Sequence, residues 1–301
     1  MRIQKAIFSV TEPAHYSSYW NIQSKLYKLG LGIEPICLLY GKKANTDMSE
    51  EYGKVIEMDI LPDIPWVIQM TLSKFYWPTK EPETVWIVGD MDLLPLQKNH
   101  FIDKIAPFPD DHYLHLNNAG ISLPRCGNYD GFVKQGSEVH GRDRGTIGTD
   151  LPAHYHVGKG YHFNNLYFQN RSFEEVLRYI VDSNRYGMGI GSKFPIEKKT
   201  EVLPPFSGCG QYWWYWLAEE NYTSEQLYNA IQNNTIFYDG LNYNNDAARI
   251  WRWNKEANNY DYNSQLLSMK AVVDIHCCQV RPYNLQAEAL DRIIELSGIL
   301  K

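Results

Sequence analysis

The sequence predicts an α/β fold in which a mostly parallel β-sheet is flanked by helices within one large domain. In the first third of the chain, short apolar runs typical of buried strands alternate with segments whose apolar residues recur at helical spacing. The chain has 301 residues, of which 44% are hydrophobic, which is enough for a sizeable core. We therefore expect a single domain over 1–301, with halves 1–124 and 151–301 and a Gly-, Asp- and Arg-rich loop at 125–150 between them.

The individual elements follow from periodicity and from the residues at their ends. The predicted strands are 5–10, 34–40, 54–58, 84–88 and 272–275. The predicted helices are 16–29, 65–76, 172–182, 211–220, 224–232 and 287–296. Gly30 is expected to end the first helix, and Ser172 with Glu175 forms a capping box for the third. Thr223 is the expected cap of the helix over 224–232.

Charge and composition exclude several classes of protein. The net charge is −6 and no run of Lys and Arg occurs, which argues against a nucleic-acid partner. No apolar run reaches 18 residues, so we expect no transmembrane segment, and the apolar stretch near the start is too short for a signal peptide. Five irregularly spaced cysteines do not form a disulfide framework, which favours a reducing, cytoplasmic compartment.

Two aspartates, Asp90 and Asp92, directly follow the most apolar predicted strand of the N-terminal half. Ligands of open α/β sheets bind at the carboxyl ends of the strands, and side chains two apart on an extended chain point the same way. The two carboxylates can therefore share one divalent ion, and their hard oxygens suit Mg²⁺ or Mn²⁺ together with substrate phosphates. The other interpretation is that this short motif arose by chance in a solvated loop, but its position at a strand end favours the metal site.

The segment 85–96, VWIVGDMDLLPL, resembles the hydrophobic strand and DxD signature of nucleotide-sugar glycosyltransferases of the GT-A fold. The order of strand, polar loop, aromatic helix and strand over 8–41 is similar to the opening of that family, and 151–163 is similar to its middle segment. His276 and the Arg281-Pro282-Tyr283 triplet resemble its late histidine and basic-Pro-aromatic element. The resemblance spans most of the chain, includes small viral and bacterial members without a membrane anchor, and implies a GT-A-like, Rossmann-type mixed sheet. For a viral member, the compartment would be the host cytoplasm.

The resemblance implies a site for a nucleoside-diphosphate sugar, UDP- or GDP-linked, in the first half of the chain. Mn²⁺ or Mg²⁺ would be held by Asp90, Asp92 and His276. The residues expected to contact the donor or its nucleotide are Ser9, Val10, Thr11, Gln69, Lys74, Asp90, Met91, Lys159 and Arg281. Lys159 is included because the glycines on either side of it leave the backbone free to approach a phosphate. The second half would bind a glycan or another hydroxyl acceptor, with Trp213 and Trp214 as an aromatic platform or, equally, as part of the core.

The chain departs from the family pattern at one place that bears on the chemistry. An acidic residue near the reacting carbon is usual in the family, whereas this sequence has Gly210, followed by Gln211. Gln211 beside the anomeric carbon, with Asp92 on the metal, is therefore the expected catalytic pair, which leans towards a retaining reaction. Stereochemistry stays open, because Asp150, Glu219 or Glu220 could supply the base that an inverting reaction requires.

Three other functions compete with sugar transfer. A metal-independent lectin explains the many aromatic residues but leaves the acidic strand end without a role. A metallohydrolase would use His154 and His156, which share one face of a strand, together with His162. A nucleotidyltransferase would need a Gly-rich basic loop after the first strand, and residues 9–15 contain neither Gly nor Arg.

Overall fold

The computed structural model describes residues 1–12, 14–117, 155–183, 237–242, 248–251, 272–277 and 287–301, with scattered positions between 218 and 235. Two sheets are formed from ten strands in these ranges. The strands are β1 Lys5–Thr11, β2 Glu34–Tyr40, β3 Lys54–Met58, β4 Val85–Gly89, β5 Leu93–Pro95, β6 His112–Asn117, β7 Tyr155–Lys159, β8 Phe237–Asn242, β9 Ala248–Trp251 and β10 Val272–His276.

The larger sheet has the order β3-β2-β1-β4-β7-β6-β8. The strands β1 to β4 are mutually parallel, β7 is antiparallel to both of its neighbours, and β6 and β8 are parallel to each other. One reversed strand in an otherwise parallel sheet is the mixed, mostly parallel arrangement that the sequence predicts. The smaller sheet has the order β5-β10-β9.

Helices cover both faces of the larger sheet. The α-helices are α1 Ala14–Ser17, α2 Trp20–Lys25, α3 Trp66–Tyr76, Gly160–Phe163, Phe173–Ser183 and Ala287–Ser297. Side chains alternate across the sheet. Phe8 therefore packs on one face with Tyr27, which lies in the helical segment directly after α2, and Ile7 packs on the other face with α3. The result is a three-layer arrangement with one apolar core on each side of the sheet.

The capping box predicted at Ser172 is confirmed. The backbone N–H of Ser172 donates to the Glu175 carboxylate at 2.7 Å, and the Glu175 N–H donates to the Ser172 hydroxyl at 3.2 Å. The hydrogen bonds from Ser172 also lower the pKa of the Glu175 carboxyl, because they favour its ionised form. Local chemistry alone is therefore enough to set the start of the Phe173–Ser183 helix.

Two predicted helix boundaries are wrong. Gly30 does not end the first helix, because α2 continues through the π-helical segment Leu26–Leu31 and ends at Gly32, whose φ of 73° is left-handed. Thr223 is not a cap, because residues 222 and 223 are already helical and its hydroxyl donates to the carbonyl of Glu219, four residues earlier. In each case, the helix extends past the residue at which the local sequence signal places its end.

The smaller sheet is what brings the late part of the chain to the end of β4. β10 lies antiparallel to β5, with His276 opposite Leu93 and Asp274 opposite Pro95. The backbone N–H of Cys277 then donates to the carbonyl of Asp92 at 2.9 Å. A strand almost 200 residues downstream of β4 therefore ends beside the acidic motif.

Candidate functional site

The acidic motif forms a tight turn between β4 and β5. The backbone N–H of Leu93 donates to the carbonyl of Asp90 at 3.2 Å, which closes the turn. Met91 is buried in the core, and Asp92 is only 5% exposed. The Asp90 side chain keeps 31% of its surface exposed. The turn therefore presents one aspartate at the surface and holds the other close to the protein interior.

Gln23 of α2 holds this turn from the side of the core. Its amide Nε2 donates to the carbonyl of Leu93 at 2.8 Å and to that of Asp90 at 3.3 Å, and its side chain is fully buried. The phenol of Tyr155 also donates to the Leu93 carbonyl at 3.4 Å. A buried polar side chain that spans both ends of a turn fixes the backbone from which Asp90 and Asp92 project. The sequence analysis does not predict this role for Gln23. A glutamine beside the apolar face of an amphipathic helix is nevertheless a sequence feature that can indicate a buried polar contact.

Replacing Gln23 with methionine is expected to lower the free energy of unfolding by about 1–3 kcal/mol, because the carbonyls of Asp90 and Leu93 each lose one of their two hydrogen-bond donors. Urea unfolding measures this loss. A matched control is Gln97→Met, which changes a glutamine that lies outside the turn. Loss of stability equal to that of the control would show that the amide does not hold the turn.

Lys74 of α3 supplies the positive charge at the site. Its ammonium forms an ion pair with the Asp90 carboxylate, while Lys74 itself is 4% exposed. A buried lysine is tolerated when a carboxylate compensates its charge. The structure therefore brings together Lys74 and Asp90, two of the residues expected at the donor site.

A third acid, Glu219, lies in the same neighbourhood. It is fully buried, and neither of its carboxyl oxygens has a hydrogen-bond partner among the residues that the structure describes. Burial raises the pKa of Glu219 to about 8, while the charge of Lys74 lowers it and that of Asp90 raises it. The sequence offered Glu219 only as one of three possible bases. A carboxyl enclosed in this way is not open to an acceptor hydroxyl in this structure.

The end of β1 lies next to the acidic turn. β1 pairs in parallel with β4, and Ile7 is opposite Val88, so Ser9 and Thr11 extend beyond β4 at the same edge of the sheet as Asp90. Ser9 and Thr11 are partly exposed, whereas Val10 is 1% exposed and belongs to the core. The structure thus places Ser9 and Thr11 at the edge expected for a nucleotide, and turns the Val10 side chain away from it.

Gln69 does not have a side chain available for a donor molecule. Its Oε1 accepts from the N–H of Leu61, and its Nε2 donates to the carbonyls of Leu61 and Ile64. These three bonds hold the loop before α3, and Gln69 is fully buried. The prediction that Gln69 contacts the donor is therefore corrected, because the backbone of this loop already occupies its amide.

Lys159 lies at the opposite end of β4 from Asp90. β7 is antiparallel to β4, so Lys159 is opposite Val85, roughly 13 Å along the strand from Gly89. Its ammonium pairs with the exposed Glu83 at 2.9 Å. The structure does not bring Lys159 to the acidic turn, and the prediction that it approaches a phosphate there is corrected.

The glycine after Lys159, Gly160, is explained by close packing rather than by a phosphate. A Cβ on Gly160 would lie 2.2 Å from the carbonyl oxygen of Pro78 and 2.3 Å from that of Glu81. The backbone N–H of Gly160 also donates to the Thr84 carbonyl. The close approach that the glycine permits is therefore to the protein's own backbone.

Replacing Lys159 with methionine is expected to leave the stability within about 0.5 kcal/mol and the metal-dependent binding of nucleotides unchanged, because its ion pair is at the surface. Differential scanning fluorimetry with and without nucleotide measures both. Loss of nucleotide binding in this variant would show that Lys159 belongs to the nucleotide site.

The donor set at the turn fits a divalent cation. Two carboxylates two residues apart offer the hard oxygen ligands that Mg²⁺ and Mn²⁺ prefer. The backbone of His276 pairs with Leu93 beside them, although the structure does not describe its side chain. Within the part of the chain that the structure describes, no three His, Cys, Asp or Glu side chains are grouped as a metal site. The predicted set of Asp90, Asp92 and His276 thus depends on a side chain outside that part.

Other predicted residues also lie outside the described ranges. They are Gln211, Trp213, Trp214 and Arg281, with the 125–150 loop, His154, Asp150 and Glu220. Their roles stay predictions.

Two of the three histidines of the metallohydrolase interpretation, His156 and His162, already make contacts within the protein. The Nδ1 of His156 is hydrogen bonded to the Tyr113 hydroxyl at 2.8 Å, and its ring stacks on His115 at 4.5 Å. His162 accepts from the Lys159 N–H and donates through Nε2 to the Asp111 carbonyl. Burial lowers the pKa of His162 to about 4, so it is neutral at physiological pH. These rings therefore tie β6, β7 and the helix after β7 together.

No known protein-family profile matches the sequence, and no curated protein is similar to it in sequence. Solved structures with similar folds include the galactosyltransferase LgtC in complex with donor and acceptor sugar analogues, at 12% identity and a TM-score of 0.46, over 98% of this chain and 95% of that one. The glycosyltransferase GlyE of Streptococcus pneumoniae is similar at 12% identity and a TM-score of 0.42, over 100% and 62%. Mouse xyloside xylosyltransferase 1 is similar at 11% identity and a TM-score of 0.38, over 93% and 100%.

Among the helices in the described ranges, none combines the length and the apolar character that a bilayer crossing requires.

Proposed function

We propose that this protein is a glycosyltransferase that binds a nucleoside-diphosphate sugar at the carboxyl end of β4. The observation that carries the proposal is the turn at Asp90 and Asp92, clamped by Gln23 and flanked by the buried ammonium of Lys74. A paired carboxylate turn beside a buried cation suits a divalent ion and a diphosphate, because each charge finds an opposite one. A lectin needs no such arrangement.

Each described residue has a definite part in this proposal. Asp92 and Asp90 would hold Mn²⁺ or Mg²⁺ with His276, and Lys74 would face the donor from α3. Ser9 and Thr11, at the exposed end of β1, would line the nucleotide. The ion, when bound, would stabilise the negative charge of the leaving diphosphate.

The remaining parts of the proposal rest on the sequence. Arg281 would neutralise the diphosphate, Gln211 would lie beside the anomeric carbon, and Trp213 and Trp214 would receive a glycan acceptor. A retaining reaction remains the favoured course, since the buried Glu219 does not suit the role of a base towards an acceptor.

The test is a thermal-denaturation panel with UDP, GDP and ADP, each with and without Mn²⁺. We expect UDP or GDP to raise the melting temperature by about 4 °C at a concentration 100 times its Kd, and only when Mn²⁺ is present. Equal melting temperatures under all conditions, for a protein that unfolds cooperatively, would count against the proposal.

A further inference from the structure

A single side-chain nitrogen, Nε2 of Gln23, reaches both ends of the acidic turn. It donates to the carbonyl of Leu93 at 2.8 Å and to that of Asp90 at 3.3 Å. Gln23 is 0% exposed, and its Oε1 has no hydrogen-bond partner among the residues that the structure describes. Because a carbonyl can only accept, the amide must turn Nε2 and not Oε1 towards the turn. A buried acceptor without a donor is costly, so the two contacts with the turn decide how this side chain is oriented.

The backbone carbonyls of the turn accept further hydrogen bonds from within the protein. The carbonyl of Asp90 also accepts from the Leu93 N–H at 3.2 Å, and that of Asp92 accepts from the Cys277 N–H at 2.9 Å. The Leu93 carbonyl also accepts from the Tyr155 hydroxyl at 3.4 Å. Donors from α2, from β7 and from the residue after β10 therefore hold this backbone from three parts of the chain. The spacing of the two carboxylates depends on the backbone that these contacts fix.

A fixed spacing between two carboxylates bears on which divalent ion they select. Mg²⁺ requires a nearly octahedral set of oxygens at about 2.1 Å, whereas Ca²⁺ accepts a looser set at about 2.3–2.6 Å. Selection between the two ions therefore depends on the size and the flexibility of the site. A turn that cannot widen favours the smaller ion. Removing one of the contacts that hold the turn would then weaken Mg²⁺ binding more than Ca²⁺ binding.

We propose that Gln23 is a positioning residue for the divalent ion, and that it holds the turn at the spacing that selects Mg²⁺ over Ca²⁺. This inference rests on the proposed function, which places the ion at Asp90 and Asp92. Gln23 acts through backbone carbonyls and does not contact the ion, because its amide nitrogen is directed at the carbonyls of Asp90 and Leu93. Residues that orient metal ligands in this way typically change the affinity for the metal by about 10–100-fold.

The test measures the affinity of the protein for three ions at neutral pH. The electron paramagnetic resonance signal of free Mn²⁺ gives the affinity for Mn²⁺, and displacement of Mn²⁺ gives the affinities for Mg²⁺ and Ca²⁺. Gln23→Met replaces the amide with an apolar side chain of similar size. We expect this change to weaken Mg²⁺ binding about tenfold and to leave Ca²⁺ binding nearly unchanged, so that the ratio of the two affinities falls about tenfold.

Two control variants separate positioning from a general loss of stability. Gln97→Met makes the same substitution outside the turn. Ile180→Val removes one methylene group from the apolar core on the other side of the sheet from Leu93, where Ile180 is 0% exposed, and so lowers stability away from the turn. Both variants are expected to keep the wild-type affinities for all three ions.

The outcomes separate this inference from the function on which it rests. An unchanged Mg²⁺ affinity in Gln23→Met, or an equal loss for Mg²⁺ and Ca²⁺, overturns the inference alone. The same fall of the affinity ratio in Ile180→Val also overturns it, because ion selection would then follow stability. Failure of the wild type to bind Mn²⁺ overturns the metal site and this inference together. Gln23→Leu, which removes the same donor with a shorter apolar side chain, repeats the measurement should the methionine variant fail to fold.

Discussion

Replacing Asp92 with asparagine is expected to abolish the stabilisation that Mn²⁺ and UDP or GDP together give the wild type. Asp92 is 5% exposed at the turn, and its backbone is fixed by the Cys277 N–H. The asparagine fits the same space but lacks the negative charge that a hard divalent ion requires. The lost stabilisation corresponds to about 2.7 kcal/mol at a ligand concentration 100 times the Kd.

The measurement is thermal denaturation of the wild type and the variant with and without both ligands. Asp103→Asn, an exposed aspartate outside the turn, is the matched control and is expected to behave as the wild type does. An undiminished nucleotide effect in the Asp92 variant would remove this residue from the metal site.

The free energy of unfolding, measured in the presence of a chelator, is expected to contain a component that falls as the pH rises from about 5 to 8. The pKa of Glu219 is raised from 4.5 to about 8 by burial. Below the lower value, the acid is protonated in both the folded and the unfolded chain, so its full contribution to stability is present. Between the two values, only the unfolded chain is ionised, and stability falls by about 1.4 kcal/mol per pH unit for this single proton.

Urea unfolding of the wild type and of Glu219→Gln, at intervals across that pH window, isolates the contribution of this residue. The glutamine does not titrate, so the difference in unfolding free energy between the two proteins is expected to change with pH. A difference that stays constant across the window would show that Glu219 is ionised in the folded protein at all of these pH values.

The first four strands could be predicted because each contains a short apolar run. Residues 34–40 and 54–58 have the predicted bounds, β1 ends one residue later than predicted, and β4 begins and ends one residue later than predicted. By contrast, β6 and β7 were not predicted, since they contain His115, His156 and Gly158 at buried positions. The hydroxyl of Tyr113 is hydrogen bonded to His156, and the rings of His115 and His156 stack on each other. Such contacts between strands leave no periodic signal in the sequence.

The residues of the candidate site also fall into two groups: those that local sequence places correctly and those whose contacts depend on the tertiary structure. Asp90 and Asp92 follow an apolar strand, so local sequence is enough to place them at the sheet edge. The contacts made by Gln69 and Lys159 depend on the loop before α3 and on the direction of β7, which no local pattern contains. The contacts of Gln23 with the turn and the burial of Glu219 arise when separate parts of the chain pack together, and burial of this kind is a property of the tertiary structure.

The most direct test of the central claim is a crystal structure of the protein with Mn²⁺ and UDP or GDP, with diffraction data collected at the manganese absorption edge. We expect an anomalous peak within bonding distance of the Asp92 carboxylate, with the diphosphate of the nucleotide on the same ion at the end of β4. A nucleotide bound elsewhere, or a manganese peak away from Asp90 and Asp92, would contradict the proposed donor site.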